Sequence, residues 1–91
     1  MHKPELAAAI ALQTGISKEQ AGEALNAVLD EITNGLAFGK KVALPRLGVF
    51  APAQRAARQG KNPATGEAIQ IAAHKAVVFR PAKALKDSVD A

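Results

Sequence analysis

The hydrophobic pattern of this chain changes its period once, near residue 40, and this change limits the folds that are open to it. Between Ser17 and Gly39 the apolar side chains recur about every 3.6 residues, as in an amphipathic helix: Ala21, Leu25, Val28, Leu29, Ile32 and Leu36. Beyond Lys40 they alternate instead, as at Val42 and Leu44, which predicts strands. Helices followed by strands favour an α+β fold.

Local signals place two helices before the change of period. Pro4 suits the first turn of a helix, and Gly15 is typical of a helix end. Residues 17–20 read Ser-Lys-Glu-Gln, a capping box that opens the second helix, and Gly39 is its predicted stop. We therefore predict an N-terminal helical hairpin in which both helices carry wide apolar faces.

The second half of the chain predicts an antiparallel sheet with a projecting hairpin. Strand-like runs occupy residues 42–50, 68–72 and 75–79. Pro45 and Pro52 predict an edge, a bend or a bulge in the first run, because proline cannot donate to a ladder. The segment Gly60–Gly66 is the predicted hairpin turn.

Polar residues flank that turn on both sides, so the hairpin has no core of its own. A long hairpin without a core is costly as an isolated element, which favours an arm that reaches a partner. We assign this arm to residues 53–76. Pro81 is predicted to start a short final helix with Leu85 and Val89 on its buried side.

Size and charge limit what such a chain does. With 91 residues and no cysteine, it buries only a thin core and lacks disulfides and thiolate metal sites, so a partner subunit is the remaining common source of stability. The net charge of +4 predicts an anionic partner, either nucleic acid or an acidic membrane surface, although an ordinary basic domain is an equal alternative. The chain shows no membrane span and no signal peptide, so we expect no membrane partner and a cytoplasmic location.

Catalytic patterns are missing from the sequence. His2 and His74 have no carboxylate or serine at a recognisable spacing, and they are predicted to be surface or structural side chains. Neither a metal-ligand spacing nor a glycine-rich phosphate loop is present. We therefore predict a protein that is not an enzyme and that uses no cofactor, metal or small-molecule substrate.

The arm carries residues that are suited to binding an anionic partner. Arg55 and Arg58 are suited to phosphates, Lys61 and Asn62 are hydrogen-bond donors at the tip, and Pro63 is rigid and apolar. A turn proline usually only fixes the backbone, which accounts for Pro63 alone. A donor-rich ribbon with an apolar tip suits the DNA minor groove, where donors meet base-edge acceptors and an apolar wedge parts a base step.

Two stretches together resemble one family. RAARQGKNPATGEAIQI at residues 55–71, followed by VVFRPAKALKDSV at 77–89, is similar to the bacterial HU/IHF family of DNA-bending nucleoid proteins. The resemblance covers the whole chain, as a single domain of residues 1–91. In the arm it rests on seven positions: Arg55, Arg58, Gly60, Asn62, Pro63, Thr65 and Gly66.

The resemblance implies an intertwined homodimer with a three-stranded antiparallel sheet and two arms that wrap duplex DNA in the nucleoid. Pro63 would be the intercalating wedge, Lys61 and Asn62 would lie in the minor groove, and Arg55 and Arg58 would contact backbone or groove. Further lysines and arginines would bind phosphates along the body: Lys3, Lys75, Arg80, Lys83 and Lys86.

Several alternatives stay open. Lys83 and Lys86 are also consistent with a solvated helix face. The arm pattern favours HU and weak sequence preference over an IHF-like subunit with preferred sites. A different class is an oligomerising module whose basic arm binds RNA or an acidic protein. The chain also departs from the family pattern, since Arg46 and Leu47 stand where glycine and phenylalanine are common and Lys61 stands where arginine is common.

Overall fold

A computed structural model of the chain, which describes residues 1–90, shows an α+β fold and confirms the predicted order of elements. The elements are α1 (Lys3–Thr14), α2 (Lys18–Ala37), β1 (Val42–Leu44), β2 (Gly48–Arg55), β3 (Arg58–Lys61), β4 (Ala68–Ile71), β5 (His74–Pro81) and α3 (Lys83–Val89). The chain divides into two compact units, a helical one at Met1–Gly35 and a second one that begins at Leu36.

The predicted helix boundaries of the first unit are confirmed by their hydrogen bonds. Gly15 follows α1 in the left-handed region, with φ 79°, and its N–H donates to Ala11 O at 2.9 Å. At the start of α2 the capping box is closed in both directions: Ser17 N–H donates to Gln20 Oε1 at 3.1 Å, and Gln20 N–H donates to Ser17 Oγ at 3.0 Å. These bonds satisfy amides that the first helical turn leaves without partners.

The second unit contains two antiparallel sheets. β1, β2 and β5 form the predicted three-stranded sheet in the order β1-β2-β5, while β3 and β4 form the arm as a two-stranded ribbon. β1 pairs only with residues 48–50 of β2, so β2 has an open edge at Pro52, opposite Val77. Pro52 therefore lies in the part of β2 that forms a sheet edge, as predicted, and its missing N–H costs no hydrogen bond between strands.

The sheet and the arm are separated by a short break in the ladder. Pairing in the sheet ends at Arg55 and His74, and pairing in the arm begins at Arg58 and Ile71. The residues between these pairs are all alanines and belong to neither sheet: Ala56, Ala57, Ala72 and Ala73.

Three local predictions are wrong. Pro81 is the last residue of β5, where it pairs with Gly48, and the final helix begins two residues later at Lys83. Val89 is 79% exposed in the chain, although Leu85 on the same helix is half-buried. Gly60 belongs to strand β3, so the turn of the arm is shorter than the predicted Gly60–Gly66. At Pro81 and Gly60 the strands extend further than local composition indicates, because cross-strand pairing overrides the local preferences of proline and glycine. Val89 lies in the last turn of α3, which this chain leaves uncovered.

Burial is slight in the residues that the structure describes. The buried apolar residues are Ala7 and Ala21, and no large side chain is fully buried. In the second unit Phe50 and Phe79 stack with their ring centroids 4.7 Å apart, yet Phe79 remains 40% exposed. On α2, Val28 and Leu29 are about half exposed. A single chain therefore leaves apolar faces open on both units.

Substitution of Gly48 by alanine should prevent normal pairing of β2 with β5. Gly48 has φ 153°, and an added Cβ would lie 2.4 Å from Arg80 O and 2.7 Å from Phe79 Cε1. A contact this close with backbone forces the strands apart, so we expect a loss of about 3 kcal/mol or more in unfolding free energy. Urea denaturation tests this, with Gly22→Ala as the control because a Cβ at Gly22 meets nothing within 4 Å. If the Gly48→Ala protein unfolds with the same free energy as the unmodified protein, the close approach of β5 to Gly48 is contradicted.

Candidate nucleic-acid interface

The arm is a ribbon with two different faces, because side chains alternate along each strand. Arg58 pairs with Ile71 and Gly60 with Ile69, so these four residues share what we call the isoleucine face. Gln59 pairs with Gln70 and Lys61 with Ala68, and these four form the amide face. The two cations Arg58 and Lys61 therefore project to opposite sides of the arm.

Packing within the arm is limited to the isoleucine face. A Cβ at Gly60 would lie 3.0 Å from Ile71 Cδ1 and 3.7 Å from Ile69 Cγ1, so both isoleucines lie across this glycine. Ile69 nevertheless remains 43% exposed, and no residue from 53 to 76 is buried. The sequence prediction that the arm lacks a core is confirmed.

The tip of the arm is closed by its own hydrogen bonds. Asn62 N–H donates to Glu67 O at 2.8 Å, and Gly66 N–H donates to Asn62 O at 2.7 Å, with Gly66 in the left-handed region at φ 74°. Ala64 N–H donates to Asn62 Oδ1 at 2.9 Å, and Glu67 N–H donates to Thr65 Oγ1 at 3.3 Å. The tip is thus a defined loop rather than a loose end of the ribbon.

These bonds determine what Asn62 and Pro63 present outward. The bond from Ala64 occupies the Asn62 side-chain oxygen, which orients the amide, and the Nδ2 group makes no hydrogen bond within residues 1–90. Pro63, between Asn62 and Ala64, is exposed. The tip therefore offers the two N–H donors of the Asn62 amide beside an exposed apolar ring.

A cationic cleft lies where the arm joins the sheet. It has a volume of about 520 Å³ and is lined by Arg55, Ala56, Ala57, Arg58 and His74. Arg55 and His74 are cross-strand partners, and His74 Nδ1 lies 3.1 Å from Ala72 O. Sequence reasoning brought the two arginines together but missed His74, whose position beside Arg55 depends on the register of β2 and β5.

The register also separates predicted contacts of the body. Arg55, His74 and Arg80 lie on one face of the three-stranded sheet, which we call the arginine face. Lys75 lies on the opposite face, with Phe50 and Phe79. The resemblance groups Lys75 with Arg80, whereas the structure places them on different sides of β5.

The remaining predicted contacts lie on helices. Lys83 Nζ lies 3.2 Å from Asp87 Oδ2, one helical turn away, and both side chains are largely exposed. Lys86 is also exposed and lies in the last turn of α3. Lys3 is the first residue of α1, in the helical unit. α3 is therefore a partly neutralised surface rather than a purely basic one.

Residues 1–90 contain no group of three or more histidine or acidic residues placed to hold a metal ion. Among them no helix combines the length and the apolar character that crossing a bilayer requires.

Comparison with known proteins gives consistent matches along the whole chain. The family model described as "Bacterial DNA-binding protein" matches residues 1–90. DNA-binding protein HU-alpha of Pseudomonas aeruginosa is 51% identical over 90 residues, which cover 99% of this chain and all of the relative. DNA-binding protein HU of Geobacillus stearothermophilus is 49% identical over 89 residues, covering 98% of this chain and 99% of the relative.

A solved structure matches the fold closely. The cocrystal structure of Anabaena HU with DNA superposes with a TM-score of 0.91 at 36% sequence identity, covering 98% of this chain and 97% of the solved one. An HU mutant from Thermotoga maritima superposes with a TM-score of 0.73 at 29% identity, covering 98% of this chain and 99% of that one.

Proposed function

Since this chain belongs to the HU family of bacterial DNA-binding proteins, as its sequence resemblance indicated, we propose that it is an architectural protein that bends duplex DNA in the nucleoid. Family membership also confirms the prediction that the chain is not an enzyme. The finer account of how it binds and bends DNA is our proposal, and a single observation carries it: the exposed tip of the arm.

The tip supports insertion into the minor groove. Asn62 offers a free side-chain amide, Lys61 adds a charge, and Pro63 adds an exposed apolar ring within a loop closed by hydrogen bonds. Minor-groove base edges are rich in acceptors, and apolar side chains that enter a base step kink the duplex. This mechanism is the general one for minor-groove architectural proteins, for which this family is itself a standard example.

The arm reaches the groove with little base readout. Gln59 and Gln70 on the amide face are exposed hydrogen-bond donors. Arg58 and Arg55 are also exposed and lie nearer to the three-stranded sheet, where the arm begins. Such contacts go mainly to phosphates, sugars and the degenerate minor-groove edge, so they favour deformable DNA over a particular sequence.

A homodimer explains the open apolar faces. Val28 and Leu29 on α2 are about half exposed, and Val77 and Phe79 on the sheet are 60% and 40% exposed. Among residues 1–90 the buried apolar side chains are those of Ala7 and Ala21, so one chain buries too little apolar area to offset the entropy of folding. A second copy of the chain covers such surfaces and supplies a second arm, so that two wedges act on one duplex.

The body then neutralises phosphates as the duplex bends toward it. Arg55 and Arg80 lie on the same face of the sheet, and we assign the exposed Val77 and Phe79 on the opposite face to the dimer. Lys75 lies on that opposite face at its end nearest the arm. The further cations assigned to phosphates are Lys3, Lys75, Lys83 and Lys86. Affinity from this source falls steeply with salt, since each neutralised phosphate releases counterions.

Ring closure of short DNA tests the proposal. Duplexes shorter than about 150 bp resist closure because that is the persistence length of DNA, so ligation yields few circles without a bending protein. We expect the protein to raise the yield of circles from such a fragment. Unchanged ring closure on a saturated duplex would contradict bending, and tighter binding to RNA or to an acidic protein would support the alternative module.

Removal of the acidic partner of Lys83 should strengthen DNA binding. Asp87→Asn breaks the ion pair at 3.2 Å and frees the Lys83 ammonium for a phosphate. Because exposed ion pairs contribute little to stability, we expect unchanged folding and about two- to fivefold tighter binding at moderate salt. Fluorescence anisotropy with a labelled duplex measures the change.

Asp90→Asn is the matched control. It removes the same charge just after α3, and Asp90 forms no ion pair within the described residues. If both variants tighten binding equally, the effect comes from net charge alone and Lys83 has no specific contact with DNA.

A further inference from the structure

The turn between β1 and β2 contains a residue in an unfavourable conformation. Leu47 N–H donates to Leu44 O at 3.1 Å, which closes a four-residue turn with Pro45 and Arg46 at its centre. Arg46 has φ 71°. Proline at the second position and a positive φ at the third define a type II turn, in which glycine or asparagine normally takes the third position.

Arginine at the third position of this turn is conformationally unfavourable. Within residues 1–90 it is the one non-glycine residue with a positive φ. A side chain with a Cβ is strained in the left-handed region, whereas glycine is not. Arg46 is exposed and makes no ion pair or side-chain hydrogen bond in the described part of the chain, so nothing within the chain compensates for the strain.

The fold brings this turn to the end of β5. Val49 pairs with Arg80 and Gly48 with Pro81, and Ala82 N–H extends the ladder by donating to Leu47 O at 2.9 Å. Arg46 and Arg80 consequently line one open cleft of about 380 Å³, formed by the turn, the start of β2 and the end of β5.

We propose that Arg46 and Arg80 form a phosphate-binding site for the DNA backbone, separate from the arm. The site rests on the proposed function, because its ligand is a phosphate of the bound duplex. Two arginines that line one cleft bring two positive charges to it, and a bound anion offsets their mutual repulsion.

Two observations support this site: the backbone of Arg46 is strained, and Arg46 lines the same cleft as Arg80. Strained conformations persist where they contribute to function, and the planar fork of arginine suits phosphate oxygens. A cation in the turn extends the basic surface beyond the arginine face of the sheet, so a bent duplex meets the protein at the arm and again at this turn. The site acts on any sequence, since a phosphate carries no base information.

Arg46→Gly tests the proposal because strain and binding should respond in opposite directions. Glycine suits the turn, so the melting temperature should rise by about 4 °C or more. DNA binding should weaken by about three- to tenfold at moderate salt, and the slope of log K against log salt should become shallower by about one unit for each Arg46 that contacts the duplex. Thermal unfolding and anisotropy titrations over a salt series measure both effects.

Three further variants make the test specific. Arg46→Asn also tolerates the left-handed turn and should weaken binding like Arg46→Gly, whereas Arg46→Lys keeps the charge but loses the planar fork and should weaken binding less than Arg46→Gly does. Lys18→Gln removes one charge from the start of α2 and should leave the salt slope unchanged.

The outcomes separate the site from the proposed function. If the unmodified protein shows a steep salt slope and Arg46→Gly matches it in affinity and slope, the Arg46 site is wrong while DNA binding by the arm stands. If the unmodified protein itself shows no steep salt dependence, the proposed function fails and this site fails with it.

Discussion

Replacement of Pro63 by alanine should leave a protein that still binds duplex DNA at low salt but bends it far less. The cations of arm and body are unchanged in this variant, so the electrostatic part of the affinity remains. The apolar ring at the exposed tip is lost, and with it the wedge that we propose opens a base step. Energy transfer between dyes at the two duplex ends should fall most of the way to the value of free DNA, with a change in low-salt Kd of less than about tenfold.

Pro63→Leu distinguishes a wedge from a backbone role. Proline also fixes the backbone of the tip loop, so loss of bending in Pro63→Ala has two explanations. Leucine lacks the ring constraint but keeps an apolar side chain of a type that other proteins insert between bases. Retained bending in Pro63→Leu supports the wedge, and equal loss in both variants assigns Pro63 to the turn alone. Unchanged energy transfer in Pro63→Ala contradicts both roles.

Replacement of Leu29 by glutamate should abolish the folded dimer. Leu29 is 47% exposed in the chain and belongs to the apolar stripe of α2, which we propose is covered by the second copy. A carboxylate buried there without a partner costs several kcal/mol, so we expect destabilisation by more than about 3 kcal/mol. Circular dichroism should show loss of helix, and sedimentation equilibrium should show loss of the dimer.

Ala27→Glu is the matched control for this experiment. Ala27 is exposed and lies on the side of α2 opposite the stripe, so the same added charge stays in water. It should leave both folding and dimerisation intact. If Leu29→Glu folds as well as Ala27→Glu, the stripe is a solvent-facing surface and the dimer uses some other part of the chain.

Much of the fold follows from local chemistry. Gly15 and the pair Ser17 and Gln20 mark helix ends because they satisfy backbone groups within a few residues, and such signals are readable in the sequence. Local sequence misplaces Pro81 because this residue pairs with Gly48, 33 residues earlier in the chain. Val89 was expected to be buried on helical spacing alone, but spacing does not say whether the same chain or another covers that side.

The candidate interface also has a part that local sequence predicts and a part that it does not. The residues of the tip were predictable since Asn62, Pro63 and Gly66 act within one loop. The separation of Arg58 from Lys61, and of Arg80 from Lys75, depends on strand register, which no single segment encodes. The sequence alone marks Arg46 only as a departure from the family pattern, because its positive φ arises from the turn that Leu44 and Leu47 close.

The most direct test of DNA bending compares an intact duplex with a nicked or gapped one across a salt series. A nick removes most of the elastic cost of a kink, so a protein that bends DNA gains affinity there, while one that only neutralises phosphates does not. We predict steep salt dependence on both duplexes and tighter binding to the nicked one at every salt concentration. Equal affinity for the two, or weak binding with little salt dependence, would contradict the account and direct attention to RNA or protein partners of the arm.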